Sequence, residues 1–219
     1  MSAMEPERLS FETREEWLAA RGRGIGASES AAACGISPFM TNFDLYMLKT
    51  GKAEPADLTG NAAVELGQRA EELLRQLFIA EHPEYTLEYH PYDMLYQKER
   101  PWLYATLDGE LIAPDGRRGI LEIKTAKIEK TYQWEMWAGR VPDHYYTQIC
   151  HQFLAAGEKY EFSFVYALLR KYTGDCELKT YEFSRSECED DMAYVLKKES
   201  NFWTKVKTGQ APALLLPQI

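Results

Sequence analysis

The chain has 219 residues, 45% of them hydrophobic and 27% charged, which is the make-up of a folded domain with a real core and excludes a largely disordered protein. Its 34 acidic and 25 basic side chains give a net charge of −9, which argues against a general electrostatic binder of nucleic acid. Basic residues gathered on one surface, or carboxylates neutralised by metal, remain compatible with that charge.

Ser10 to Arg21 reads as a helix, with Thr13-Arg-Glu-Glu16 as a capping box and Phe11, Trp17 and Leu18 at the apolar positions. Arg21-Gly-Arg-Gly-Ile-Gly-Ala-Ser28 then forms a basic, glycine-broken loop running into a small-residue helix, Glu29 to Cys34, which Gly35 stops. Backbone amides at that helix start, together with Arg21, Arg23 and the Ser28 hydroxyl, suit a phosphate. A sharp turn with solvated arginines fits the same residues. Thr41 caps a helix to about Lys49 that Gly51 closes, and polar Gly51 to Thr59 is a surface loop.

Val64, Leu66, Ala70, Leu73, Leu74, Leu77 and Phe78 make one stripe of a long helix from about Asn61 to Glu81. Glu71 lies next to that stripe. Tyr85–Leu95, Trp102–Ala113 and Gly119–Thr125 read as three successive strands, an antiparallel meander against the long helix. Pro142 opens a second good helix, Asp143 to Ala156, with Gly157 as its stop; His144, Gln148 and His151 share one face, and Gln148 is the polar group aimed at the sheet. Strands follow at Glu161–Leu169 and Glu177–Phe183. Ser184-Arg-Ser-Glu187 offers a capping box for a charged final helix to about Lys207.

A single domain over 1–219 is expected, with an N-terminal part to about 58, a core over about 60–183 and a C-terminal helix and tail from about 184. No apolar run approaches the ~18 residues of a membrane span, and the acidic start holds no apolar signal segment, so a cytoplasmic protein is expected. Cys34, Cys150, Cys176 and Cys188 are too far apart for a zinc ribbon or redox motif and read as reduced, partly buried thiols.

The chemistry gathers in Tyr104–Ile112 and Leu121–Thr125. Glu122 and Lys124, two apart in a strand, point to one face, and Asp108 closes the preceding run. A divalent metal with a nucleophilic water gives two carboxylates and a lysine a reason to converge there. Taken separately, Asp108-Gly109 is a common hairpin turn and Glu122-x-Lys124 an ordinary solvated face. The turn-rich Ile112-Ala-Pro-Asp-Gly-Arg-Arg-Gly119 between them is what a tight connection requires.

Arg21-x6-Ser28, Gly67-x3-Glu71, Ala105-Thr-Leu-Asp-Gly109, Leu121-Glu-Ile-Lys124 and Tyr146-Thr-Gln148, in this order over Arg21 to Gln152, resemble the lambda exonuclease and YqaJ family of phage recombination exonucleases. That family lies within the PD-(D/E)xK nuclease fold, an α/β (α+β) restriction-endonuclease-like core with a central mixed sheet flanked by helices. The resemblance implies that Asp108 and Glu122, with the backbone carbonyl of Ile123, bind two Mg²⁺ ions, for which Mn²⁺ can substitute. Lys124 would orient or deprotonate the attacking water, helped by Glu71 and Gln148, and Arg21 and Ser28 would hold the 5′-phosphate of a double-stranded DNA end. Thr106-Leu107 replaces the family's usual small residue and proline, and Thr106 keeps a hydroxyl for the terminal phosphate. Met40 and Val64 fall where the lambda enzyme sets apolar side chains that pry apart terminal bases; core packing is the competing role for both.

By the same resemblance the chain is a phage- or prophage-encoded 5′-to-3′ exonuclease of the bacterial cytoplasm, a homotrimeric ring acting with a single-strand annealing protein. A structure-specific endonuclease or nickase of the same fold, or a non-catalytic DNA-end-binding protein, are the alternatives.

Overall fold

The computed structural model describes residues 5–57 and 60–216; Leu58 and Thr59 of the expected loop, and Pro217 of the tail, lie outside the described residues. The chain runs β1 (Glu7–Ser10), α1 (Arg14–Arg21), β2 (Ile25–Gly26), α2 (Ser30–Cys34), α3 (Asn42–Lys49), α4 (Ala62–Glu81), β3 (Thr86–Glu88), β4 (Asp93–Tyr96), β5 (Leu103–Ala105) and β6 (Gly109–Ile112). It continues with β7 (Arg118–Ile128), α5 (Thr131–Glu135), α6 (Asp143–Ala156), β8 (Tyr160–Lys171), β9 (Cys176–Ser184) and α7 (Glu189–Thr208).

These strands form two mixed sheets, in the orders β3-β6-β7-β8-β9 and β1-β4-β5-β2. Among the described residues only β7–β8 and β2–β5 run parallel. The expected antiparallel meander against α4 is present as β3-β6-β7, but its first two strands are not continuous. Tyr85–Leu95 breaks into β3 and β4, and Trp102–Ala113 into β5 and β6, with each half joining a different sheet. The chain crosses between sheets at Thr106-Leu107-Asp108, so the break leaves Asp108 at the fork.

Two further expectations change. Thr13 does cap α1 by a capping box, but Ser10 belongs to β1 and pairs with Asp93. All four residues of β1 are exposed and only Leu9 is apolar, and what holds them is distant: Arg8 donates to Asp93 at 2.8 Å and Glu110 at 2.5 Å, bridging the two sheets. Ser184 makes no cap; its hydroxyl pairs with Ser186, a short 3₁₀ turn follows, and Cys188 precedes α7.

α4 lays Ala70, Leu74 and Phe78 on Leu111, Leu121, Ile123, Phe162, Phe164 and Tyr166 of the larger sheet. Each such apolar side chain contributes about 1.5–3 kcal/mol when fully buried. α6 is buried without interruption from Thr147 to Ala156, since β5, α2, α7 and β8 pack around it. β7 thus has α4 on one face and α6 on the other. Its alternation sends Leu121 and Ile123 toward α4, and Glu122 and Lys124 toward α6. No described helix is long and apolar enough to cross a membrane.

Candidate active site

Pairing of β6 with β7 ends at Gly109 opposite Leu121, where the chain turns away toward the other sheet. Beyond that point the Ile123 N–H of β7 has no β6 neighbour, and Asp108 accepts its hydrogen bond through Oδ2 at 2.8 Å. Arg75 of α4 donates to the Asp108 carbonyl at 3.3 Å. The fork thereby delivers one carboxylate beside the strand that carries the other.

Glu122 is 3% exposed and accepts from three donors. Gln148 Nε2 reaches Oε1 at 2.6 Å, Lys124 Nζ bonds the same oxygen, and Gln152 Nε2 bonds Oε2. Lys124 Nζ also donates to Gln148 Oε1 at 2.9 Å and stands 4.9 Å from the centre of the Tyr145 ring. Gln148 and Gln152, one turn apart on α6, present their amides to both oxygens of one buried acid.

Burial, then the nearby Glu122, hold the Asp108 carboxyl well above the usual carboxylate range, against Lys124, with Glu71 adding to the rise. Burial also raises Glu71, which is half-buried on α4 and feels Glu122; Arg75 and Lys124 oppose. For Lys124, burial works against the ammonium, yet Glu122 and Asp108 outweigh it and the group sits above its ordinary value. Asp108 and Glu71, each pushed above its ordinary value with Glu122 close by, form an acidic cluster whose mutual repulsion a bound cation would relieve.

The donor set fits a hard divalent ion. Among the described residues no three His, Cys, Asp or Glu side chains form a ready metal-holding group. The protein would supply Asp108, Glu122 and the Ile123 carbonyl, leaving other positions to water and phosphate, the manner in which Mg²⁺ is usually held.

Arg21 and Ser28 meet, Nη2 to Oγ at 3.2 Å, with the guanidinium 4.7 Å above the Trp17 ring. Two donors fix the loop from below: Lys49 Nζ and Tyr104 OH reach the Arg21 carbonyl at 2.8 and 2.9 Å. Thr106 Oγ1 accepts from Trp17 Nε1 at 3.1 Å, so Trp17 joins Thr106 to Arg21. Arg21, Ser28 and Thr106 are therefore one neighbourhood. Met40 is half-buried against the apolar cluster that includes Ile25, Leu45 and Phe202, a packing position, and Val64 is half-buried in the first turn of α4.

Gln152, Arg75 and Tyr145 were not among the expected site residues. Gln152 carried a readable signal, lying four residues after Gln148 on the same helix. Arg75 and Tyr145 had none, because their roles depend on which strand passes beneath them. His151 is fully buried and pairs with Glu199 and the Tyr104 carbonyl. All four cysteines are free, with Cys176 exposed and the others buried.

A model of the YqaJ-like viral recombinase domain matches residues 16–159. A Bacillus subtilis (strain 168) relative described as uncharacterized protein YqaJ is 28% identical over 216 residues, 92% of this chain and 59% of its own length. The chain thus spans about three-fifths of that relative. The fold is similar to the crystal structure of LHK-Exo, an alkaline exonuclease from Laribacter hongkongensis, at TM-score 0.62 and 17% identity, covering 90% of this chain and 94% of that one. LHK-Exo in complex with dAMP matches at TM-score 0.64 and 18% identity with the same coverage. The PD-(D/E)xK architecture expected from the motifs, mixed sheets flanked by helices, is the one observed.

Proposed function

The chain belongs to the YqaJ-like viral recombinase family, and from that premise we propose that it is a Mg²⁺-dependent exonuclease digesting the 5′-ended strand of linear double-stranded DNA to mononucleotides. The 3′ overhangs it leaves would serve recombination by single-strand annealing. One observation carries the reading: Asp108 on the Ile123 N–H, beside Glu122 and Lys124 tied to Gln148. The exonuclease named for LHK-Exo, and the mononucleotide in one of its structures, support the reaction class.

Asp108, Glu122 and the Ile123 carbonyl would hold two Mg²⁺ ions, or Mn²⁺ in their place, and such ions supply a polarised water and neutralise charge on the phosphate. Lys124, kept as an ammonium by its acidic neighbours, donates from Nζ to the attacking water or a phosphate oxygen, and Gln148 fixes its direction. The water oxygen joins phosphorus, the bond from phosphorus to the 3′ oxygen breaks, and the terminal nucleotide leaves. The shortened strand carries a new 5′-phosphate, the group that Arg21, Ser28 and Thr106 would receive. Repetition from the same end follows from that chemistry.

A homotrimeric ring and a single-strand annealing protein complete the proposal. A ring reconciles the net charge of −9 with a DNA substrate, because only side chains lining the channel need be basic. The deciding experiment is time-resolved digestion of a linear duplex labelled separately at each end and strand, with Mg²⁺ and with chelator. Loss of label from the 5′ ends with Mg²⁺ alone is expected; loss from 3′ ends, or cutting of covalently closed circles, overturns the reading.

A further inference from the structure

Phe39 and His144 stand beside the candidate site with no task in the chemistry above. Phe39 is 79% exposed, leaving one face of its ring open to a ligand. It is held there by a built turn: buried Ser37 Oγ accepts the N–H groups of Phe39 and Met40 at 3.2 and 3.3 Å. The Phe39 ring meets His144 edge-on, 5.5 Å between centres at 87°.

His144 opens α6 four residues before Gln148, and its ring lies 4.1 Å from Tyr145, the ring that carries Lys124. Its Nε2 is buried and has no hydrogen-bond partner. A buried polar atom of that kind calls for a water or a ligand. Burial first, then Lys124, lower the imidazole to about 4, so at neutral pH it adds a polar atom without a second positive charge beside Lys124.

We propose that Phe39 and His144 form a nucleobase subsite next to the scissile phosphate, Phe39 stacking on the base and His144 Nε2 hydrogen-bonding the same nucleotide. The inference rests on the nuclease reading. An exposed ring accepts any base, since every base has a π-face, so the subsite would read the presence of a base and not its identity. It lies on the α2–α3 connection and the start of α6, apart from the Arg21–Ser28 loop, and so would engage the base while that loop engages the end phosphate.

The test compares 5′-phosphorylated duplexes bearing either a normal or an abasic residue at the first or second nucleotide, by fluorescence anisotropy with Ca²⁺ replacing Mg²⁺, and by kcat/KM with Mg²⁺. Wild type is expected to favour the base-bearing end about tenfold at one of the two positions. Phe39→Ala should treat both alike, while Phe39→Trp keeps the preference and both variants keep the wild-type melting temperature. His144→Phe preserves the ring packing but removes Nε2, and should raise KM about fivefold with kcat unchanged, as one lost hydrogen bond does. Equal binding of base-bearing and abasic ends by wild type, or an unchanged preference in Phe39→Ala, overturns the subsite even where digestion proceeds normally. If wild type digests no linear duplex with Mg²⁺, the nuclease reading falls and the subsite falls with it.

Discussion

His151 and Glu199 meet fully buried between α6 and α7, with Nδ1 2.7 Å from Oε1, while Nε2 of the same ring faces the Tyr104 carbonyl at 2.9 Å. A carbonyl only accepts, so Nε2 carries a proton, and the carboxylate favours a second one on Nδ1. Burial opposes the imidazolium, but Glu199 outweighs it and the folded pKa is raised. Such a group gives its full stability below the unfolded value of about 6.5 and loses it as pH rises through the higher folded value. Glu199→Gln should therefore destabilise by about 3–5 kcal/mol at about pH 6. Urea unfolding across a pH series should show that gap narrowing on the alkaline side; a constant gap would exclude the charged pair.

Asp108 predicts an inversion of stability with metal. Its raised pKa means that the folded state disfavours the ionised carboxylate, so stability is lost as pH rises from about 3.9 through the folded value. In chelator at neutral pH, Asp108→Asn should melt above wild type. With Mg²⁺ at about a hundred times Kd, wild type should gain roughly 2.7 kcal/mol and the variant little. Nuclease activity of the variant should fall by about 10²–10³. An Asp108→Asn protein that binds Mg²⁺ as wild type does would remove Asp108 from the metal site.

Glu122, Lys124 and Gln148 were legible because strand alternation and helix spacing are local, and each needs only its own element to fix its direction. The fork at Thr106-Leu107-Asp108 was not. Tyr85–Leu95 and Trp102–Ala113 read as unbroken strands, and only non-local pairing decides that Leu95 lies opposite Ala105 while Leu87 lies opposite Leu111. β1 was hidden for a related reason: nothing in Glu7–Ser10 favours a strand until Arg8 finds Asp93 and Glu110. The expected hairpin is present as β6 and β7, and what it left unread is that the chain departs from the sheet just before Gly109, so that the Asp108 carboxylate takes up the exposed Ile123 N–H.

Gln152 should tune metal affinity more than chemistry. It touches Glu122 Oε2, the oxygen that Lys124 and Gln148 leave alone. Gln152→Ala frees that oxygen to rotate and is expected to weaken Mg²⁺ binding about 10–100-fold. At saturating Mg²⁺, kcat should recover to near wild type. Titration of activity against Mg²⁺ checks this, and a depressed kcat with unchanged Mg²⁺ dependence would assign Gln152 to the reaction itself.

A substitution at Gly24 is expected to separate recognition of the end from cleavage. A Cβ there would lie 2.4 Å from the Trp102 carbonyl oxygen, the same oxygen that accepts the Ile25 N–H at 2.6 Å. Both neighbours are backbone, so Gly24→Ala must part β2 from β5 and displace the loop between Arg21 and Ser28. Gly22→Ala is the control, since its nearest contact would be an ordinary 3.7 Å to the Ala19 carbonyl. Arg21→Ala should lose about tenfold in preference for 5′-phosphate over 5′-hydroxyl ends, the value of one charge-assisted hydrogen bond. Gly24→Ala should lose as much, with kcat/KM on 5′-hydroxyl ends close to wild type because Asp108 and Glu122 lie outside β2 and β5. If Gly24→Ala kept the full preference while Arg21→Ala lost it, the guanidinium would act independently of the loop that now positions it against Ser28.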